Sequence, residues 1–103
     1  MTVKLKKWDA KEALNNEEYI TEYLKLAFET DDLEHIKKAL TNIAKAKNMT
    51  IIAKKMGISR QGLYIMLSEN GNPKFKTIQS LLKVLGVKLS IIPNDNVKSK
   101  KGS

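Results

Sequence analysis

Arg60 and Gln61 are the residues whose types and positions best suit binding chemistry, namely hydrogen bonding to the edges of nucleobases. They stand at the start of the segment 60–68, which is predicted to be helical, and Arg60 is the only arginine beside eighteen lysines. A guanidinium donates two hydrogen bonds to guanine O6 and N7, and a glutamine amide pairs with adenine N6 and N7. On a helical wheel Tyr64 and Ile65 share the outward side, where they suit a phosphate and a thymine methyl group. The sequence thus predicts a base-contacting surface made of these four residues.

Such a surface needs two helices held at a fixed angle, and the segment 50–67 (TIIAKKMGISRQGLYIML) has the spacing of a helix-turn-helix. Ala53 is small where the second helix crosses the first, and Gly57 supplies the positive φ of a three-residue turn. Ile58 and Leu63 are expected to fill the angle between the two helices. An ordinary corner in a small helical bundle is the alternative interpretation of this pattern.

The residues around this segment are expected to contact phosphates rather than bases. Hydroxyl groups and free amides at helix starts suit a phosphate, and flanking lysines add charge without reading sequence. The predicted phosphate contacts are Thr50, Lys54, Lys55, Ser59, Ser68, Asn72, Lys74 and Lys76. Any single lysine among them can equally be a solvated surface charge.

Hydrophobic periodicity predicts an all-α domain whose helices cover about 10–14, 16–29, 32–47, 51–56, 60–68 and 75–85. The predicted N-caps are Asp9, Asn15, Asp31, Thr50 and Ser59. The first three stand three positions before a glutamate, which is the pattern of a capping box. Most apolar residues on one side of each helix, including Leu33, Ile36 and Phe75, are expected in the core.

One short strand is expected beyond the last helix. Val87, Leu89 and Ile91 alternate with polar residues, so a strand is predicted over 87–92. A single strand leaves its backbone groups unpaired. We therefore expect it to pair with the alternating segment Val3–Lys6, within one chain or across a dimer.

Charge divides the chain into two parts. Residues 1–34 hold nine carboxylates and five lysines, a net charge of −4, and residues 35–103 hold fourteen basic and two acidic residues, a net charge of +12. A basic part after an acidic part suggests two partners of opposite charge. The length favours a single domain over 1–93, followed by a disordered basic tail over 94–103.

Several classes of function find no support in the sequence. The chain has no cysteine, which excludes disulfides, thiolate metal sites and thiol catalysis. His35 lies near Asp31, Asp32 and Glu34, but it faces outward from its predicted helix, and we expect no metal and no cofactor. Motifs for nucleophilic or phosphate chemistry are also missing, so no enzyme is predicted. Neither a transmembrane run nor a signal peptide is visible, and a cytoplasmic protein without a membrane partner is expected.

Longer motifs carry a resemblance to a known family. The stretch from about Thr41 to Ile92 resembles a helix-turn-helix of the XRE/Cro, lambda-repressor-like type. From about Trp8 to Ile92 the chain resembles the bacterial addiction-module antidotes, the HigA-like antitoxins. The motifs that carry this likeness are WDAKEAL, YLKLAFETDD, ALTNIAKAKNMT, GISRQGLYIMLSENGNPKF and LLKVLGVKLS. Gly62 departs from the family pattern, where a side chain is more usual.

The resemblance implies a repressor of its own operon that also binds and silences a small ribonuclease-type toxin. Specific binding is expected to require a homodimer on a palindromic double-stranded operator, joined through the strand or the last helix. The candidate toxin-binding residues are Glu18, Glu22, Glu29, Asp31 and Asp32. These carboxylates can also simply stabilise helix starts, and Trp8 and Phe28 are expected in the core rather than in a partner. The alternatives are a stand-alone XRE/Cro-type repressor and a sequence-independent nucleoid-binding protein.

Overall fold

The computed structural model describes residues 16–94, and every regular element in that range is a helix. The helices are α1 (Glu17–Glu29), α2 (Leu33–Lys47), α3 (Met49–Met56), α4 (Arg60–Leu67) and α5 (Phe75–Val84). The predicted all-α class is therefore confirmed for this part of the chain, with helix ends shifted by at most two residues. The helix expected at 10–14, the Asp9 cap, the segment Val3–Lys6, Trp8 and the tail beyond Asn94 lie outside the described residues.

The N-caps of α1 and α2 differ from the predicted ones by one position. Asn16 caps α1, because its Oδ1 accepts the backbone N–H three residues on at 2.9 Å, and the predicted cap Asn15 lies outside the described residues. Asp32 caps α2, with its Oδ1 accepting the Glu34 N–H at 3.0 Å. The prediction of Asp31 was wrong, because its left-handed backbone (φ 57°) is not the extended conformation that an N-cap adopts.

The cap of α3 is Asn48 rather than the predicted Thr50. Its side-chain Oδ1 accepts the N–H groups of Thr50 at 3.0 Å and Ile51 at 3.2 Å. The same asparagine ends α2, where its own N–H donates to the Lys45 carbonyl at 3.2 Å. Its φ of 94° is one that asparagine tolerates better than most residues. A single residue therefore joins α2 to α3 without a loop.

All five helices contribute to one apolar core. Its buried members are Ile20, Leu24, Ala27, Ala39, Leu40, Ile43, Ala44, Met49, Ile52, Ala53, Leu63, Leu67, Ile78, Leu81, Leu82 and Leu85. Phe28 is half-buried against this core, as expected. Leu33 and Phe75 are 45% and 66% exposed, contrary to expectation, because each is the first residue of its helix and projects beyond the core. Ile58, expected between α3 and α4, is only partly covered in the turn, with 37% of its surface exposed.

The predicted strand over 87–92 is wrong, because these residues form no regular element in the structure. Gly86 ends α5 with a φ of 89°, and the Val87 N–H turns back to donate to the Leu82 carbonyl at 2.9 Å. This is a Schellman-type helix end, in which a left-handed glycine satisfies the last carbonyls. Beyond it Ile91 is 95% exposed. Within 16–94 no segment pairs with these residues, and a strand requires such a ladder.

Candidate nucleic-acid interface

The connection between α3 and α4 spans three residues, Gly57 to Ser59. Gly57 ends α3 in the left-handed conformation, and the following N–H, that of Ile58, donates to the Ala53 carbonyl at 3.0 Å. Ser59 then caps α4, because its Oγ accepts the Gly62 N–H at 2.9 Å. The two predictions for this turn, a positive φ at Gly57 and a cap at Ser59, are confirmed.

Gly62 leaves room for this cap. A Cβ built on Gly62 would lie 3.0 Å from the Ser59 Oγ, which is tighter than an ordinary contact. A side chain at position 62 would therefore require the Ser59 hydroxyl to shift by a few tenths of an ångström.

The inner side of α4 is buried and its outer side is open. Leu63 and Leu67 face the core, where α4 packs against α2 and α3. Gln61 is exposed, and Ile65 is 60% exposed on the outer side. The described chain covers neither residue. The predicted outward orientation of these side chains is thus found in the structure.

Two cations flank the ring of Tyr64. The guanidinium carbon of Arg60 lies 5.3 Å from the ring centroid, and the Lys45 Nζ lies 5.9 Å from it. Both distances are within the range of cation–π attraction. The half-buried ring therefore helps to fix the direction of Arg60 at the start of α4. Sequence analysis missed Lys45, because it comes from α2 and nothing near it in the sequence indicates this contact.

The predicted phosphate-contacting residues differ in whether their polar groups already make hydrogen bonds within the protein. Lys54, Lys55 and Thr50 are exposed on α3, although the Thr50 N–H is taken by its cap. The Ser68 hydroxyl donates to the Ile65 carbonyl at 2.6 Å, which leaves it no proton for a phosphate. In this structure the Ser68 hydroxyl therefore bonds to the end of α4.

The remaining predicted contacts lie around the start of α5. Asn72, Lys74 and Lys76 are exposed there. Lys74 occupies the cap position of α5 with an extended backbone, but its side chain caps no backbone group. The first N–H groups of α5 therefore lack a side-chain acceptor, and backbone donors at a helix start attract anions.

The loop between α4 and α5 is held by Lys37, which sequence analysis did not single out. This α2 side chain is 1% exposed, and its Nζ donates to the carbonyls of Ser68 at 2.8 Å and Gly71 at 2.7 Å. It also pairs with the Glu34 Oε2 at 3.0 Å. One signal was available, since Lys37 interrupts the apolar stripe of α2 between Leu33 and Leu40.

A second surface lies on α1 and the turn that follows it. The five candidate toxin-binding carboxylates are all exposed there. Asp32 is occupied as the cap of α2, and Glu22 pairs with Lys25 at 3.8 Å on the surface. Within residues 16–94, no hydrogen bond or ion pair engages the carboxylates of Glu18, Glu29 or Asp31.

A groove of about 250 Å³ runs beside these carboxylates, between α1 and α2, and its lining is mainly apolar. It is lined by Tyr23, Leu26, Ala27, His35, Lys38, Ala39 and Asn42. The Asn42 amide donates to the Tyr23 hydroxyl at 3.0 Å across it. His35 is exposed, and the described residues contain no group of three or more potential ligands arranged to hold a metal.

Comparison with known proteins identifies the family. Residues 4–93 match a family model described as a probable addiction module antidote protein. The chain belongs to this antidote family. An uncharacterised protein of Haemophilus influenzae is 44% identical to this chain over 91 residues, which cover 88% of this chain and 94% of that protein. No solved structure matches this chain.

The family description confirms the resemblance to addiction-module antidotes that the sequence motifs indicated. It also implies a cognate toxin as a partner and suggests a regulatory rather than an enzymatic protein. In the described part of the chain, no helix combines the length and apolar composition needed to cross a membrane.

Proposed function

We propose that this antidote is a DNA-binding antitoxin that represses its own operon and neutralises its toxin by direct binding. In this proposal, α3 and α4 form a helix-turn-helix of the XRE/Cro type, within a HigA-like antitoxin. The observation that carries it is the open outer side of α4, where Gln61 and Ile65 are exposed beside the Arg60 guanidinium. Such a repressor acts in the cytoplasm, where a bacterial operator lies.

In this proposal α4 lies in the major groove and reads bases with the residues of its first turns. Arg60 binds a guanine and Gln61 an adenine, each with two hydrogen bonds, while Ile65 touches a thymine methyl group. Each bidentate contact gives about 1–3 kcal/mol of discrimination against the wrong base. Tyr64 contributes mainly by supporting Arg60.

Phosphate contacts then hold the protein in register. Thr50, Lys54, Lys55 and Ser59 precede the reading helix in the chain, and Asn72, Lys74 and Lys76 follow it. The charge of this part of the chain supports the assignment, because residues 35–94 hold eleven basic residues and one acidic residue, Glu69. Phosphate contacts of this kind supply affinity without sequence preference.

A homodimer completes the operator-binding unit in this proposal. One helix of eight residues makes few base contacts, and two-fold dimers on palindromic sites are the usual solution. The outer side of α5 and the residues after it offer a surface, where a groove of about 580 Å³ is lined by Leu82, Val87 and Leu89 together with polar residues and lysines. The exposed side chains of Ile91 and Ile92 follow directly. Apolar surface of this kind suits a second copy of the chain.

A gel shift on the DNA that precedes the antidote's own operon tests the DNA-binding part. We expect the wild-type protein to bind this DNA at least about tenfold more tightly than a scrambled duplex at the same salt concentration. The double variant Arg60→Ala/Gln61→Ala should lose this preference while it keeps most of its affinity for the scrambled duplex. Equal weakening on both duplexes would instead favour a sequence-independent nucleoid protein.

The acidic surface of α1 is the proposed site for the toxin. Residues 16–34 hold seven carboxylates against Lys25, so this surface suits a basic partner. The candidate contacts are Glu18, Glu22, Glu29, Asp31 and Asp32. The apolar groove between α1 and α2 lies beside them and offers a seat for an apolar side chain of the toxin, with Leu26 exposed on its wall.

Co-expression with the product of the neighbouring gene, followed by co-purification, tests this second part. We expect the wild-type antidote to retain the toxin and the variant Glu18→Lys/Glu29→Lys to lose it. Glu69→Lys is the control, because it reverses a charge outside α1. If no partner is recovered while operator binding is intact, the chain is a stand-alone repressor.

A further inference from the structure

The ammonium of Lys37 is fully paired inside the protein. Its three N–H donors match three close acceptors, the carbonyl oxygens of Ser68 and Gly71 and the Glu34 carboxylate at 2.8, 2.7 and 3.0 Å. A fourth acceptor, the Glu69 carbonyl, lies at 3.4 Å. Burial of a charge is tolerated only with such pairing, since an unpaired charge loses its hydration without compensation.

The carbonyls that Lys37 binds belong to the end of α4 and the loop after it. Ser68 is the C-cap residue of α4, and Lys37 reaches it from α2, 31 residues earlier in the chain. The carboxyl end of a helix carries partial negative charge, so a cation there is favourable. Lys37 therefore acts as a cap for α4 that another helix supplies.

The same loop is fixed from its other side by Gly71. A Cβ at this position would overlap the carbonyl oxygens of Ile65 and Met66, so only glycine allows the loop to lie this close to the last turn of α4. The Gly71 N–H also donates to the Ser68 carbonyl at 2.9 Å. The end of α4 and the start of the loop thus form one rigid unit, with Lys37 at its centre.

We propose that Lys37 is a positioning residue for DNA recognition, which fixes the base-reading helix α4 relative to the phosphate-binding residues at the start of α5. This inference rests on the proposed function. Asn72, Lys74 and Lys76 follow directly after the loop that Lys37 holds. An apolar residue at position 37 fills the space but removes the donor of the part-buried Gly71 carbonyl and leaves the Ser68 carbonyl with the Gly71 N–H alone, so the loop moves away and the two sets of DNA contacts lose their register.

The test compares Lys37→Met with Lys38→Met. Both variants remove one positive charge from α2, but Lys38 is exposed and makes no hydrogen bond or ion pair within residues 16–94. Circular dichroism first establishes the melting temperature of each variant, and DNA binding is then measured well below it. We expect Lys37→Met to bind the operator about tenfold more weakly, a loss the size of one base contact, and with a shallower salt dependence. Lys38→Met should match the wild type within about twofold.

A folded Lys37→Met variant that binds the operator as tightly as the wild type would overturn the inference, because the role of Lys37 would then be stability alone. If Lys37→Met does not fold, Gly71→Ala displaces the same loop from its other side without a change of charge. Loss of operator affinity in folded Gly71→Ala supports the inference, and full affinity overturns it. A wild-type protein that shows no operator preference refutes the proposed function itself, and the inference with it.

Discussion

Tyr64 is the residue whose role differs most between the sequence and the structure. The sequence suggested that its hydroxyl meets a phosphate, whereas the structure places the Arg60 guanidinium 5.3 Å from its ring centroid. A cation–π contact at an exposed site contributes about 0.5–1 kcal/mol. We expect Tyr64→Leu to weaken operator binding about two- to fivefold, because Arg60 is then less well oriented. Fluorescence anisotropy with labelled operator DNA measures this change.

Tyr64→Phe is the matched variant, since it keeps the ring and removes only the hydroxyl. The structure leads us to expect an affinity within about twofold of the wild type, because the ring that faces Arg60 is retained. An equal loss in both variants would show that the hydroxyl carries the interaction, as the sequence first suggested.

Gly57 allows a second prediction for a single residue. A Cβ at this position meets nothing within 4 Å, so the cost of Gly57→Ala is purely that of its φ of 77°. A left-handed backbone costs an L-residue about 1–2 kcal/mol. We expect a decrease of the melting temperature of about 4–8 °C for each kcal/mol. Gly57→Asn should cost less, because asparagine tolerates this conformation, and an equal loss for both variants would contradict this account.

Ser59 determines where α4 begins, and the proposed function gives it a second role. Its Oγ caps the helix at 2.9 Å from the Gly62 nitrogen, and its position at the helix start also suits a phosphate. Ser59→Ala should lower the free energy of unfolding by about 1 kcal/mol through loss of the cap. Ser59→Asp keeps the cap, so its thermal stability should remain close to that of the wild type.

DNA binding separates the two roles of Ser59. The carboxylate of Ser59→Asp repels a phosphate, so this stable variant should bind DNA more weakly than Ser59→Ala does. Parallel thermal melts and gel shifts on both variants test this. If Ser59→Asp bound DNA as well as the wild type, the start of α4 would not lie near the backbone of the duplex.

Local sequence rules predicted the helices well and their first residues less well. Ser59 and Gly57 are isolated signals, and the structure confirms both. The capping-box spacing favoured Asp31 over Asp32, but the left-handed backbone of Asp31 excludes it and Asp32 is the cap. The segment 87–92 failed for a different reason, because alternation favours a strand only where another segment can pair with it.

No local sequence rule could predict the contact of Lys37 with the loop after α4. A lysine on the apolar stripe of α2 indicates an anomaly, but its acceptors, Ser68 and Gly71, are 31 and 34 residues away. Gly71 likewise looks like an ordinary turn residue until its distance from the backbone of α4 is known. The exposed face of α4 could be predicted because all its residues belong to one helix. The contacts that hold the end of α4 come from residues far away in the sequence, so they could not be predicted.

At the scale of the whole molecule, the helices separate charge as the sequence does. The acidic helix α1 packs on α2, whereas α3, at the centre, packs against α2, α4 and α5. The proposed DNA-binding residues therefore lie on the basic helices and their connections, and the proposed toxin-binding residues lie on α1 and its turn. Opposite charges on separate elements allow one small chain to attract two unlike partners without their competing for the same residues.

The proposed phosphate contacts predict how the affinity for operator DNA depends on salt concentration. If the dimer neutralises roughly eight phosphates, the slope of log K against log salt concentration is about −7, since each phosphate contributes about −0.9. Lys74→Gln removes one phosphate contact from each protomer, so the slope should become less steep, at about −5. Lys25→Gln, on α1, should leave it unchanged, because this lysine pairs with Glu22. Anisotropy titrations over a range of potassium chloride concentrations give all three slopes. Equal slopes for Lys74→Gln and the wild type would mean that the start of α5 does not touch the duplex.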